Sequence, residues 1–356
     1  MAFAHQVGGH AATILASPID ASTLIKPASA RELAFYTQVA PTLADGTLLG
    51  EWTPAFYGTL KLEGKVGQSG AVEKLDTAGD EEGEVEPAML VLENLTYRFV
   101  RPNVLDIKLG TQLFDEDASE EKKARMTKAA AASTSGETGI RLTGFQVWDA
   151  ASQAYITTAK PYGRSLKPAE LPSGITRFFY PPLSCLSQAE KDALDFAPAA
   201  SAPSTSAAGS ASSSPAPATP RTPAPLPLDL LLPVLRTLIR RLDELISLFS
   251  TLEIRMRGGS LLIVVEGDPS ALEAALLRSM DDDEDDAGSV STTDGDGNAK
   301  PHTRLAYEMR LIDFAHTRAA PGEGPDEGVL KGLRTVKTLL EDLTQKLTEK
   351  QKQEEA

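Results

Sequence analysis

Cysteine is almost absent from this chain. Among its 356 residues only Cys185 carries a thiol, which leaves no intrachain disulfide and no cysteine-rich metal site, and suits a reducing compartment. Long apolar runs are missing as well. No stretch approaches the ~20 consecutive apolar residues that a membrane helix requires, and the N-terminus lacks a basic start followed by an apolar core; the expectation is a chain neither secreted nor membrane-inserted. Positive charge is in short supply: 35 Lys and Arg against 50 Asp and Glu leave a net charge of -15. That balance ordinarily argues against a polyanionic ligand, and no strong basic run points to direct nucleic-acid binding. The acids are unevenly placed, however. Asp80 to Glu86 holds one cluster and Asp281 to Asp286 is an unbroken run of six, both of which read as solvated loops that say little about a site. No internal repeat is evident, and no amphipathic basic helix marks a membrane surface.

What is present suffices for one large or two modest domains, with 41% hydrophobic residues to build a core. Three composition-biased tracts interrupt it: residues 64–87 (Gly and acid), 197–227 (Ala, Ser, Pro, Thr) and 279–300 (acid with Gly, Ser, Thr). Such segments bury too little apolar surface to offset chain entropy, so disorder is expected there. Between them the pattern predicts strands over 11–26 and 56–62, a helix over 29–40, and a strand pair from Met89–Phe99 with Val104–Leu109. Leu228, Leu231, Leu232, Leu235, Leu238, Ile239, Leu242, Leu245, Ile246 and Phe249 follow i, i+3, i+4 spacing, giving a long amphipathic core helix. Leu330, Leu333, Val336, Leu340, Leu343 and Leu347 repeat that spacing in a C-terminal helix over 329–350.

The most informative stretch is Pro102-Asn-Val-Leu-Asp106-Ile-Lys108-Leu-Gly110. On a strand, residues i and i+2 share a face, so an acid and a base sit side by side, followed by a Gly that lets backbone approach a ligand. A phosphate-handling edge and an ordinary surface ion pair both fit. Far downstream, Leu311-Ile-Asp313-Phe-Ala-His316-Thr317 ends a short apolar strand in an acid. In order between them come Ser135-Gly-Glu-Thr-Gly139-Ile-Arg141-Leu-Thr-Gly144-Phe-Gln and Gly259-Ser260-Leu-Leu-Ile-Val-Val-Glu266-Gly.

Together these four ordered motifs resemble the inositol polyphosphate kinase family. The opening His5-Gln-Val-Gly-Gly9-His10 looks like that family's phosphate-covering turn, although Gly8 and Gly9 alone fall short of a full Gly-rich loop. Ile25-Lys26-Pro and Ala30-Arg-Glu32-Leu-Ala-Phe-Tyr36 look like its Lys strand and following helix. The resemblance runs from about residue 5 to about residue 318. It implies an α+β, two-lobed, protein-kinase-like fold: a smaller lobe over 1–100 and a larger one over 101–356 that holds an inositol-binding insert at 111–135 and the C-terminal helix.

Phosphoryl transfer needs positive charge on the phosphates, a carboxylate-held metal and an aligned acceptor hydroxyl. The resemblance supplies a residue for each. Lys26 and Glu32 would pair near the phosphates; the plainer reading is a surface Lys and a helix-cap Glu. Backbone at Glu93 and Leu95 would meet the adenine edge, and Asp106 would accept from the ribose hydroxyls. Lys108 would face the transferred phosphate or the acceptor, a task that suits a compact point charge. Asp313 would bind the Mg2+ that accompanies ATP, since hard oxygen ligands suit a hard cation, with Ser260 assisting from the neighbouring strand.

Lys122, Arg125 and Lys128 advance by three residues on a short helix and drift by about 60° per step, so they share one broad face. Solvated surface is the plain reading of such a face; the resemblance makes it a grip on a polyphosphorylated ring. Arg141 and His316 are further substrate candidates, with a structural histidine the competing reading for the latter. No general-base pair is visible, which phosphoryl transfer tolerates because positioning and charge neutralisation supply most of its effect.

Within the family, the compact insert and the wording Leu-Asp-Ile-Lys-Leu-Gly look most like a fungal-type multikinase. That implies a monomer that phosphorylates inositol 1,4,5-trisphosphate and tetrakisphosphate towards pentakisphosphate, in nucleus and cytoplasm, with transcription factors as further partners. A hexakisphosphate kinase is the nearest rival, because Asp117-Ala-Ser-Glu-Glu-Lys-Lys-Ala-Arg125 occurs in that branch too. A mainly non-catalytic transcriptional scaffold is the reading from a different class; Asp106, Lys108 and Asp313 speak against it.

Overall fold

The computed structural model describes residues 3–8, 14–43, 46–60, 64–66, 72–74, 89–181, 224–285 and 304–356. Cys185 and most of the three biased tracts lie outside them.

The N-terminal third forms a small antiparallel sheet. Strands β1 (Leu15–Ala16) and β2 (Thr23–Pro27) lead to helix α1 (Ala30–Ala34), helix α2 (Thr47–Trp52) and β3 (Phe56–Leu60). A ribbon of β4 (Gly64–Val66) and β5 (Val72–Lys74) follows, then β6 (Met89–Glu93), in the order β1-β2-β6-β3 for the sheet itself. Most of 64–87, the tract expected to be disordered, lies outside the described residues; within it only these two short strands are described, with Val66 opposite Val72 in register.

Helix α1 starts where Ser29 accepts the Glu32 amide. The expected helix over 29–40 is present but does not stay α. Phe35–Val39 widens into a π turn and Ala40–Thr42 closes as a 3-10 turn, because Pro41 has no N–H to continue the ladder.

Strand β6 and the next strand do not pair, contrary to the pattern-based expectation. Asn94 accepts from the Thr96 amide at 3.1 Å and hydroxyl at 2.8 Å, a local turn that ends β6 at Glu93 and sends the chain into a second sheet. That sheet holds β7 (Pro102–Leu109), β8 (Ile140–Asp149), β9 (Ala154–Thr158), β11 (Ser260–Glu266) and β12 (Tyr307–Ile312), in the antiparallel order β12-β11-β7-β8-β9. A separate pair joins β10 (Ile254–Met256) to β13 (Thr317–Ala319).

Around it lie α3 (Glu120–Ala131), α4 (Thr134–Thr138), α5 (Lys160–Ser165), α6 (Leu171–Phe179), α7 (Leu228–Phe249), α8 (Pro269–Asp285) and α9 (Glu327–Glu354). Helix α8 carries helical backbone into the tract expected as an acidic loop, since neither Gly nor Pro interrupts 270–285. Helices α7 and α9 bury the apolar stripes read from the sequence against one another and the sheet, among them Leu235, Leu242, Leu333 and Leu340. Each such side chain contributes about 1.5–3 kcal/mol by leaving water.

The two sheets meet through aromatic rings. Phe314, one residue beyond Asp313, stacks on Phe35 of the small sheet's helix segment at 3.9 Å and 8°. This contact sets the distance between the residues that follow β12 and those on α1.

Candidate functional site

A cavity of about 580 Å³ opens between the sheets. Its upper wall is apolar, with Leu24 and Leu92 of the small sheet facing Val104, Leu262 and Ile312 of the large one. Its floor is charged. Central strand β7 explains both: Leu105, Ile107 and Leu109 point into the fully buried core, while Val104, Asp106 and Lys108 point the other way and line the cavity.

Lys26 on β2 reaches Glu32 on α1 at 2.8 Å and Asp313 at 2.6 Å. Burial would lower the Lys26 ammonium, but the Asp313 and Glu32 carboxylates outweigh it and hold it above the usual lysine range. Glu32 also accepts the Phe314 amide at 3.3 Å, so one carboxylate fixes both Lys26 and the backbone beside Asp313. Asp313 itself sits just past the end of β12 in a left-handed conformation, φ 67°, which turns its side chain towards the cavity.

Asp106 is fully buried, and its Oδ1 has no hydrogen-bond partner in the structure. Burial, then the neighbouring Asp313 charge, pushes its carboxyl up to about 6, against favourable contacts with Ser260, Lys108 and Thr143. Gly8 covers it from above: a Cβ there would lie 1.6 Å from Asp106 Oδ2, so only glycine lets the opening turn cross at this height. His5 and Gln146 hold that turn on β8, with 2.6 Å between Nδ1 and Nε2. Gly9 and His10 lie outside the described residues.

Lys108 donates to the Gly258 carbonyl at 2.6 Å. Burial lowers its ammonium, with Asp106 and Asp313 opposing and Arg141 and Lys160 adding to the depression. Arg141 is lowered by burial and then by Arg164. Lys108, Arg141, Lys160 and Arg164 therefore form a cluster of like charges on the cavity floor, and all but Lys160 also line an adjoining pocket of about 470 Å³. Crowded cations, with Lys108 and Arg141 lowered in this way, mark a place where an anion relieves repulsion.

The structure thus brings together Lys26, Glu32, Glu93, Leu95, Asp106, Lys108, Arg141, Ser260, Asp313 and His316 around one cavity. The Glu93 amide is already used by Ala55 at 2.9 Å. Lys122, Arg125 and Lys128 do form a helical face on α3, but none of them lines either cavity; Met126 and Ala129 of that helix line the smaller one. Lys160 and Arg164 were not singled out in the sequence. Their only signal is two cations four apart in Lys160-Pro-Tyr-Gly-Arg164, and what aims them is the seating of Gly163 against the Leu142 carbonyl, where a Cβ would approach to 1.9 Å.

Comparison with known proteins identifies the family. The family model described as inositol polyphosphate kinase matches residues 89–195 and 229–341, well over half of the chain. The chain belongs to the inositol polyphosphate kinase family. Membership carries the enzyme class, an ATP-dependent kinase of inositol phosphates. An inositol polyphosphate multikinase of Saccharomyces cerevisiae is 30% identical over 384 aligned residues, covering 93% of this chain and 95% of that one. An inositol hexakisphosphate kinase 3 of Mus musculus is 28% identical over 71% of this chain and 50% of its own length. Among solved structures, an inositol phosphate multikinase from S. cerevisiae in complex with ADP and Mn2+ superposes with a TM-score of 0.57 at 27% identity, covering 90% of this chain and 98% of that one.

The kinase fold explains why the charged floor and the apolar wall share one cavity, since a nucleotide needs both. A divalent cation fits the donor set. Asp313 offers a cavity-facing carboxylate and Ser260 a hydroxyl, both hard donors. Among the described residues no group of three or more His, Cys, Asp or Glu is placed to hold a metal ion. Nor is any described helix long and apolar enough to cross a membrane.

Proposed function

We propose that the kinase transfers the terminal phosphoryl group of ATP to inositol 1,4,5-trisphosphate and then to the tetrakisphosphate, making pentakisphosphate with Mg2+ as the metal. The observation that carries this reading is the cationic floor of Lys108, Arg141, Lys160 and Arg164 in a chain of net charge -15, lining the same cavity as the Lys26–Glu32–Asp313 triad. A polyphosphorylated ring matches such a floor; a neutral alcohol would leave four cations unpaired.

In this reading the unit spanning 1–100 contributes Lys26, Glu32 and the backbone at Glu93 and Leu95 to ATP, and the unit from 101 onwards contributes the rest. Leu24, Leu92, Val104 and Leu262 enclose the base, Asp106 takes the ribose hydroxyls and Lys26 neutralises phosphate oxygens. Asp313 holds the metal, with Asp106 kept in place by Ser260. Bound there, a divalent cation supplies charge stabilisation to the transferring phosphoryl group. Lys108 is the one cation common to the triad's neighbourhood and the acceptor floor, so it lies where charge shifts during transfer. Arg141, Lys160, Arg164 and His316 orient the acceptor, and the half-buried Lys122 with the exposed Arg125 and Lys128 draws it in from solution.

Turnover of the purified chain with magnesium ATP and inositol 1,4,5-trisphosphate, with products separated by charge, tests the reading. Stepwise tetrakis- and pentakisphosphate, absent with Asp313→Ala, supports it. The likeness to a hexakisphosphate kinase and the Asp117–Arg125 wording favour the second reading, pyrophosphate formation on hexakisphosphate, and exclusive activity on that acceptor would replace the first.

A further inference from the structure

His316 is half exposed on the cavity wall, and its imidazole is not free to turn. Nδ1 lies 2.6 Å from Asp115 Oδ2, and the Asp115 side chain is only 11% exposed. A carboxylate only accepts, so this contact places the ring proton on Nδ1 and leaves Nε2 as the one polar atom that can meet a ligand. Asp115 lies just before the helix that follows Gly110, in a segment no sequence motif marked. Its same oxygen lies 3.4 Å from Arg31 on α1. Arg31 precedes Glu32, and Glu32 accepts from Phe314, two residues before His316. The contacts close a ring: Asp115 to His316, along the chain to Phe314, across to Glu32, back to Arg31 and to Asp115.

We propose that Asp115 is a positioning residue for the acceptor: it fixes the tautomer and orientation of His316, and through Arg31 ties that orientation to the helix that carries Glu32. This rests on the reading of the cavity as an inositol phosphate kinase site. Arg31 keeps a second partner in Asp117, so loss of Asp115 leaves α1 tethered and falls mainly on His316. The acidic run therefore has two duties. Glu116 pairs with Arg257 at 3.0 Å and Asp117 with Arg31, which anchors the segment, while Asp115 alone faces the histidine.

The experiment combines kinetics with a direct view of the ring in the full chain. Only four histidines are present, so the Nδ1 and Nε2 signals of 15N-labelled His316 can be assigned by comparison with His316→Gln. The wild-type chain is expected to show Nδ1–H, and Asp115→Leu to shift His316 towards Nε2–H. The same variant is expected to raise KM for inositol trisphosphate by ~10-fold, with KM for ATP nearly unchanged, and Asp115→Asn, which keeps an accepting oxygen, to raise it less. In a His316→Gln background Asp115→Leu should add nothing, the signature of action through the histidine. Should Asp115→Leu fail to fold, Asp115→Asn carries the same cycle. Additive effects in the cycle, or an unchanged His316 tautomer, overturn the positioning role alone. Absence of wild-type turnover overturns the kinase reading and the role with it, whatever the tautomer.

Discussion

Asp106 holds a carboxylate where an uncharged group would be more comfortable. With its carboxyl pushed up to about 6, it binds a proton more readily folded than unfolded, so the fold loses stability as pH rises from about 4 to about 6 and carries the whole deficit above that. Asp106→Asn is therefore expected to stabilise the nucleotide- and metal-free chain at pH 7.5 by about 2 kcal/mol while weakening nucleotide binding. Chemical denaturation at pH 4 and pH 7.5 checks the sign: the gain should shrink at pH 4. At the same scale, Lys160→Ala and Arg164→Ala should each raise KM for the acceptor by ~10-fold while KM for ATP stays nearly constant, since a charge-assisted contact is worth roughly 1.5–3 kcal/mol. Initial rates at varied acceptor and fixed saturating ATP separate the two. Residues set by local spacing were readable beforehand. Asp106 and Lys108 share a face because they are two apart on a strand, whereas the pairing of Lys26 with Glu32 was legible only through the family resemblance. Lys160 and Arg164 were not, because their aim depends on how Gly163 seats against β8, a contact between segments far apart in the chain.

At the scale of elements, the opening turn and α3 behave differently from what their sequences alone conveyed. Gly8→Ala places a methyl group into the Asp106 carboxylate, so the turn must lift; the expected outcome is a higher KM for ATP with little change in thermal midpoint, measured by kinetics and calorimetry. Helix α3 was legible as a short helix carrying Lys122, Arg125 and Lys128, yet which face it turns inward was not. Its sequence is polar nearly all round; Ala130 is its one buried side chain, and Met126 and Ala129 line the smaller cavity. Replacing Lys122, Arg125 and Lys128 together by Ala should accordingly lower kcat/KM for the acceptor more at low salt than at high salt, as expected for steering rather than contact. An equal loss at both salt concentrations would assign them to direct grip instead. The stripes of α7 and α9 were the plainest signal, because a spacing of three and four residues over so many turns has few other uses; Leu235→Ala should cost about 2–5 kcal/mol in chemical denaturation.

For the whole molecule, two sheets are held in fixed relation by Phe35 on Phe314 and by the ion pairs around Lys26. The Asp-x-Lys and Ile-Asp-Phe strands were legible one by one but their place in one sheet was not, and the break between β6 and β7 stayed hidden because an Asn-Thr side-chain turn leaves no mark in hydropathy. That Lys26 and Asp313 face each other across this junction has one further result. In the proposed reading Lys26 takes the phosphates and Asp313 the metal, and without ligands the two side chains satisfy each other. Phosphate drawn to Lys26 frees Asp313, and a cation drawn to Asp313 frees Lys26, so each arrival makes the other's easier by the same factor. Titration calorimetry should find ATP binding tighter with the cation present, and the cation tighter with ATP present, by one common ratio that Lys26→Met brings towards unity.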